Sequence, residues 1–488
     1  MLAHLSRFPL YALLLLAANS ASAAAALTAD KAKIDAGILV QAMNTLHPAL
    51  DKYRTPAEVK ASMERFQARA AAARNAGEMY LAATELAAAV RCGHTWTNVL
   101  NQQGPARRQI LESADKLPLI FTLVEGRWLV LGSAHPGIVA GDEIVTIDGR
   151  NAAQVVSMMM PYLRADGSSD GKRLRQLGHD RSDYSMMDIV WPLLSPPAGG
   201  SYKLELRNSQ GATRKAVAKA VTLEARDAAL ASQVVPGRSE NWTFRIDGDR
   251  AVMTLPTFSV QRSKFNWQKF FAESFDELKR KQVKHLVIDI RDNEGGDGAL
   301  ALDLLSYLVK APATYVADQS VTTYEKVPEK LSGYLDTWDT GFYDRSGNVD
   351  KIAEGPQAGR FRFRPKANKV SDITPRNARF TGKTWLLVGP ENSSATFALA
   401  KLAKELGVAT LVGQVTGGNQ RGLNGGQLAW VNLPNSGVAV DIPLLAQSYT
   451  ASTPDAGIAP DILVERHFAA RMAGQDQEMD AVAHAIGQ

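Results

Sequence analysis

The sequence holds a single cysteine, Cys92, in 488 residues. One thiol excludes an intramolecular disulfide in any compartment. Cys92 reads as a small buried side chain rather than a nucleophile. Charge of one sign is scarce too: 55 Lys and Arg against 50 Asp and Glu leave +5. No segment gathers five or six basic residues, so nucleic acid is not an expected partner. Long apolar runs are missing after the first residues. The run that follows Arg7, Pro9-Leu10-Tyr11-Ala12-Leu13-Leu14-Leu15-Leu16, is shorter than the ~20 residues a spanning helix needs. It leads into Ala21-Ser22-Ala23-Ala24. A basic start, a short apolar run and an A-x-A end predict a secretory signal over residues 1–23 and an exported protein, periplasmic or extracellular. No Cys follows the run, so no lipid attachment is expected there. The histidines form no HExxH-type pattern, which argues against a metal hydrolase, and no cofactor is implied.

What is present is a soluble globular composition, 45% hydrophobic and 22% charged. The length calls for two to four domains. Residues 24–108 read as a helical domain, with good helix formers in Ala57–Glu64 and Met79–Leu86. The last helix is expected to stop at Cys92-Gly93 with glycine as its cap, and His94–Val99 to be extended. Residues 109–224 read as β-rich. Leu119–Val124, Trp128–Leu131, the alternating run Val145–Asp148 and Tyr202–Arg207 are expected strands, with a tight turn at Asp148-Gly149. Residues 225–488 alternate strand and helix and predict an α/β core. An irregular polar stretch at about 311–380 interrupts it. There is no internal repeat and no long low-complexity linker.

Three segments carry chemistry. In His285–Gly296 a strand-length apolar run ends in a polar turn with paired glycines. A helix follows with Leu300, Leu304 and Leu308 on one stripe. Ligands of open α/β sheets gather at such strand ends, and the glycines let backbone N–H groups approach a substrate; a plain strand-to-helix turn fits equally. Thr384–Phe397 repeats the pattern. Ala395, Leu399, Leu402 and Leu406 are its expected buried stripe, and Gly407 its end. Ser394 stands at the helix start, where free N–H groups and the dipole favour an oxyanion. Ser393 or Ser394 also suits a simple N-cap. Arg91-Cys92-Gly93-His94-Thr95 offers His94, which is either structural or the base a serine nucleophile requires.

In this order the segments resemble the tail-specific (C-terminal-processing) serine peptidase family, in its tricorn-like and retinoid-binding-module branches. The motif Asp-x-Arg-x-Asn-x-Gly-Gly stands at Asp289, Arg291, Asn293, Gly295 and Gly296. Ser-Ala-x stands at Ser394-Ala395-Thr396. The turn Gly413–Gly418, the closing Gly457–Asp461, His47-Pro48 and Gly93-His94-Thr95 also match. Gly141-Asp142 and Ile147-Asp148-Gly149 resemble a PDZ domain interrupted by an insertion at about 160–200. The resemblance covers nearly all of the chain after the signal. It implies a ClpP/crotonase-like α/β core behind an N-terminal helical domain and an interrupted PDZ-like domain. It implies a peptidase with peptide or protein substrates, Ser394 as nucleophile, and an oxyanion hole at Gly295 or Gly296 and Ala395. It also implies weak capture of peptide C-termini by the PDZ-like region.

The chain departs from the family in places. Many relatives carry a lysine base about 25 residues after the serine, where this chain has Asn419. Lys401 and Lys404 lie on the helix body. The base then falls to His94, with Asp455 as the only acidic residue near the place of the family's orienting Glu. Two other readings share the resemblance: a non-catalytic peptide- or apolar-ligand-binding module, and an esterase or cell-wall hydrolase on the same serine.

Overall fold

A computed structural model describes residues 26–180, 184–233, 241–261, 263–315, 320–364 and 371–487. The signal expected over residues 1–23 lies outside them. Helices α1 (Ala29–Leu46), α2 (Pro56–Ala72) and α3 (Ala76–Ala89) come first. Their starts are written locally. Thr28, Thr55 and Asn75 each accept from the N–H three residues on, satisfying donors that a helix leaves open. Thr55 and Glu58 complete a capping box around Pro56. The expected glycine cap is corrected. Helix α3 stops at Ala89, and Arg91 takes the left-handed backbone at φ 57°. Gly93 serves a close approach instead, since a Cβ there would lie 2.8 Å from Asp166 Oδ2. His94–Val99 is not a strand either: Trp96 alone bridges Asp441, before a short 3-10 turn at Val99–Asn101.

Strands β1 (Leu119–Val124), β2 (Arg127–Ser133), β3 (Glu143–Ile147), β4 (Ser201–Arg207) and β5 (Thr213–Lys219) form an antiparallel sheet in that order. Asp148 and Gly149, at φ 50° and 78°, make the tight turn after β3, where two positive φ values suit a hairpin. Between β3 and β4 the chain leaves the sheet. It carries the short helix α4 (Asp170–Arg175) and comes back along β1. There His179 N donates to Phe121 O, and Phe121 N donates to His179 Nδ1. The chain thus pairs with the outer edge of β1 at Phe121. His179 is itself held by Asp188, which forms an ion pair with the fully buried Arg226.

Helices α1–α3 and this sheet do not have separate interiors. One apolar core contains Leu39, Phe66, Tyr80, Phe121, Trp128 and Ile147, together with Val431 and Ile442 from the strands Leu428–Asn432 and Ala439–Pro443.

The second core surrounds a six-stranded sheet of β6 (Thr243–Asp247), β7 (Arg250–Thr254), β8 (His285–Asp289), β9 (Lys383–Val388), β10 (Thr410–Gly413) and β11 (Ile462–Leu463). All neighbours are parallel except β6 with β7. The amphipathic helix α5 (Trp267–Arg280) places Phe271, Phe275 and Leu278 in this core. Helices α6 (Gly298–Ser306) and α7 (Ser394–Glu405) follow β8 and β9. Leu300, Leu304 and Leu308 are buried as expected. On α7, Ala395 and Leu399 are buried, but Leu406 is 37% exposed and Ala403 takes its place inside. Gly407, at φ 62°, ends the helix. The polar stretch 311–380 is more ordered than expected: Ala313–Tyr315 pairs Ser371–Ile373, and Ser320–Thr322, Val349–Lys351 and Phe361–Phe363 join Ala446–Gln447 in a small sheet. No helix among the described residues is long and apolar enough to cross a membrane.

Candidate active site

Parallel pairing of β8 with β9, Leu286 against Thr384 through Asp289 against Leu387, brings both strand-end turns to one end of the sheet. That is where an open α/β sheet collects ligands. Two buried asparagines lock the turns together. Asn392 Nδ2 donates to Ile290 O and Asn293 O, and Asn392 Oδ1 accepts from Gly389 N. Asn293 Nδ2 donates to Leu255 O, while Thr396 Oγ1 donates to Asn293 O.

Held this way, Ser394 opens α7 at φ 51°. A non-glycine residue in the left-handed region carries strain that the surroundings must enforce, and such strain clusters at functional sites. Gly295 packs directly on it. A Cβ at Gly295, φ 122°, would lie 2.9 Å from Ser394 Cβ. The Gly295 N–H, however, donates to Asn293 Oδ1, so it is not available to an oxyanion. The N–H groups of Gly296 and Ala395 have no hydrogen-bond partner among the described residues. Ser393 sits at the N-cap position but makes no cap bond. Its Oγ accepts from Lys172 Nζ at 2.5 Å and donates to Glu294 O.

His94 is half-buried, and its Nδ1 is closed off from solvent without a partner. Burial holds the imidazole below its ordinary pKa, and Asp166 opposes that shift. The ring is framed by its neighbours. A Cβ on Gly425 would be 3.5 Å from His94 Nε2. Gly93 N donates to Asp166 Oδ1, and Thr95 Oγ1 meets Nε2 of the buried His47 at 2.8 Å. Burial lowers the pKa of His47 to about 3, so it stays neutral. Ser394 Oγ and the His94 ring make no hydrogen bond to each other among the described residues.

Asp455 does not orient His94, which corrects that assignment. Its Oδ1 accepts from Asn419 Nδ2 at 2.7 Å and from Ser168 N at 3.0 Å. These two donors commit that oxygen to Asn419 and the 167–169 loop. Asn419, where relatives have a lysine, is the donor to Asp455. Lys401 pairs with Glu405 and Lys404 with Asp461, both away from the helix start. Cys92 is buried, and burial pushes its thiol up. Among the described residues no group of three His, Cys, Asp or Glu is placed to hold a metal ion.

The sequence reading missed Arg164, Asp166, Lys172 and Glu294. The first three belong to the insertion, whose only signal was its run of cations, Arg164, Lys172, Arg173 and Arg175.

Residues 249–464 match the family model described as peptidase family S41. Over those residues, less than half of its length, the chain is similar to that family. By that family it is a serine-type peptidase. Among solved structures, mature CPAF complexed with lactacystin is 14% identical at TM-score 0.63, over 94% of this chain and 98% of that one. A CPAF s499a mutant is 15% identical at TM-score 0.61, over 91% and 94%. At such identities the likeness is one of fold. A photosystem II D1 C-terminal processing protease gives 16% identity and TM-score 0.38, over 89% and 93%. No curated protein sequence matches significantly. The S41 match contains both turns that build the Ser394 elbow. His94, Arg164, Asp166 and Lys172 all fall before it.

Proposed function

We propose that the chain is an exported peptidase that cleaves peptide bonds through an acyl-enzyme on Ser394, with His94 as general base. The observation that carries this reading is the strained Ser394 backbone, φ 51°, beside the unpartnered N–H groups of Gly296 and Ala395. A hydroxyl at a helix start next to two free donors is the arrangement acyl transfer needs. His94 Nε2, the ring nitrogen not closed off from solvent, takes the Ser394 proton. Ser394 Oγ attacks the carbonyl carbon, and the two N–H groups hold the oxygen as it gains charge. His94 returns the proton to the leaving amine, and water then repeats the sequence to free the acid. Asp166, the carboxylate that acts most strongly on the ring, favours the imidazolium formed in between. The missing Ser394–His94 hydrogen bond forms on substrate binding, since such bonds are often long or absent in free enzymes.

The S41 core supports peptide or protein as substrate. The antiparallel sheet is read as the PDZ-like part, the region to which weak capture of peptide C-termini belongs, and the insertion meets its β1 edge at Phe121. A serine-directed phosphonate should label wild-type protein once, on the tryptic peptide that contains Ser394, by mass spectrometry. Folded protein that takes up no label would favour the ligand-binding reading, which the absent Ser394–His94 bond also fits. Export rests on the Arg7 start and the Ala21–Ala23 end. Sequencing of mature protein should begin near Ala24, and an intact Met1 on a cytoplasmic product would defeat it.

A further inference from the structure

Glu294 lies in the turn between β8 and α6, immediately before Gly295. Its Oε1 accepts from two cations of the insertion, Lys172 Nζ at 2.9 Å and Arg164 Nη2 at 2.8 Å. Lys172 is 1% exposed, and its Nζ also donates to Ser393 Oγ. Arg164 donates to Gly93 O through Nη1 and lies over the Trp96 ring at 3.9 Å. The contacts make one chain: Gly93 O, Arg164, Glu294, Lys172, Ser393. Its ends are the residues immediately before His94 and Ser394.

A buried ammonium costs several kcal/mol to desolvate unless it is paired. Lys172 is therefore held where it is by Glu294 and Ser393. A bridge of this kind adds little to net stability, because well-packed apolar residues would often serve as well. What it does here is fix geometry between parts of the chain that share no secondary structure. We propose that Glu294, by bridging Arg164 and Lys172, is a positioning residue that sets His94 against Ser394. Remove the carboxylate and the two cations face each other unbridged. Lys172 then loses its main reason to stay buried, and both Ser393 and the Gly93 carbonyl lose their tether.

The inference rests on the catalytic reading above, and charge gives it a separate readout. The charged groups that act on His94 are Asp166, Arg164, Lys172 and Glu294. Glu294 favours the protonated ring, and Lys172 disfavours it. In Glu294→Gln the ring should lose its proton more easily. The acid limb of kcat/KM should then move to lower pH, while kcat falls. Lys172→Met should lower kcat as well, but move the limb to higher pH. A loss of packing alone would lower the rate and leave the limb in place.

The experiment measures pH–rate profiles and phosphonate labelling rates for wild type, Glu294→Gln and Lys172→Met, each shown folded by thermal melting. Limbs that shift in opposite directions, with slowed labelling in both, are the expected result. If Glu294→Gln does not fold, Lys172→Met alone still gives a signed answer. Wild-type labelling with full rates and unmoved limbs in the folded variants would overturn this proposal and leave the catalytic reading intact. Wild type that never labels would overturn both.

Discussion

Ser394→Ala protein should lose phosphonate labelling entirely, and its kcat should fall on the order of 10⁶-fold, the scale seen when a serine nucleophile is removed. The substitution deletes one hydroxyl. It leaves the elbow in place, because the elbow is fixed by Asn392, Asn293 and Thr396 rather than by Ser394 Oγ, which bonds to no described residue. Substrate binding and fold should survive. A melting temperature equal to wild type with no turnover separates lost chemistry from lost structure. Turnover persisting at the unmodified rate would move the nucleophile elsewhere, with Ser393 next in line.

Removal of the base should cost less but still much. His94→Ala is expected to lower kcat/KM on the order of 10²-fold or more, the usual contribution of a general base. The pH profile tests the same residue without a substitution. A free histidine titrates near ~6.5, and sequence alone would put the acid limb there. Burial lowers the His94 pKa. The ring therefore stays neutral, and competent as a base, below the ordinary histidine range. Activity should hold through neutral pH and fall only on the acid side of ~6.5. A limb above that value, or a His94→Ala enzyme at full rate, would remove His94 from the mechanism. A lysine base would need a neutral amine and would show its limb on the alkaline side.

The α/β core and the place of Ser394 were legible because both depend on local signals. A strand-length apolar run, a glycine turn and a helical stripe fix β8 with its turn, and β9 with Ser394, from their own residues. The strand-ending turns had to meet once two such units paired side by side. The oxyanion donors were half legible. Gly295 was read as a donor, but its N–H is spent on Asn293, and its role is to lack a Cβ beside Ser394. Asp455 shows the limit of spacing arguments. It stands near the expected place in the chain, yet Asn419 and Ser168 claim its carboxylate. The cap of α3 failed for a related reason: Gly93 is reserved for Asp166 and Arg91 takes the turn. For Arg164, Asp166 and Lys172 the local run of cations gave no role, because their meaning comes from contacts with residues far along the chain.

The shared core of α1–α3 has a consequence for timing. Val431 and Ile442 belong to it, and Trp96, two residues after His94, bridges Asp441. The histidine leaves the ribosome early, yet the strand that seats its segment comes near the end of the chain. Loop closure across most of the molecule has to come before His94 and Ser394 can meet, and contacts of such separation form late. A nascent chain thus carries both groups before the segments that hold them are joined. On the proposed mechanism, completion of the fold is itself what would switch the hydrolase on.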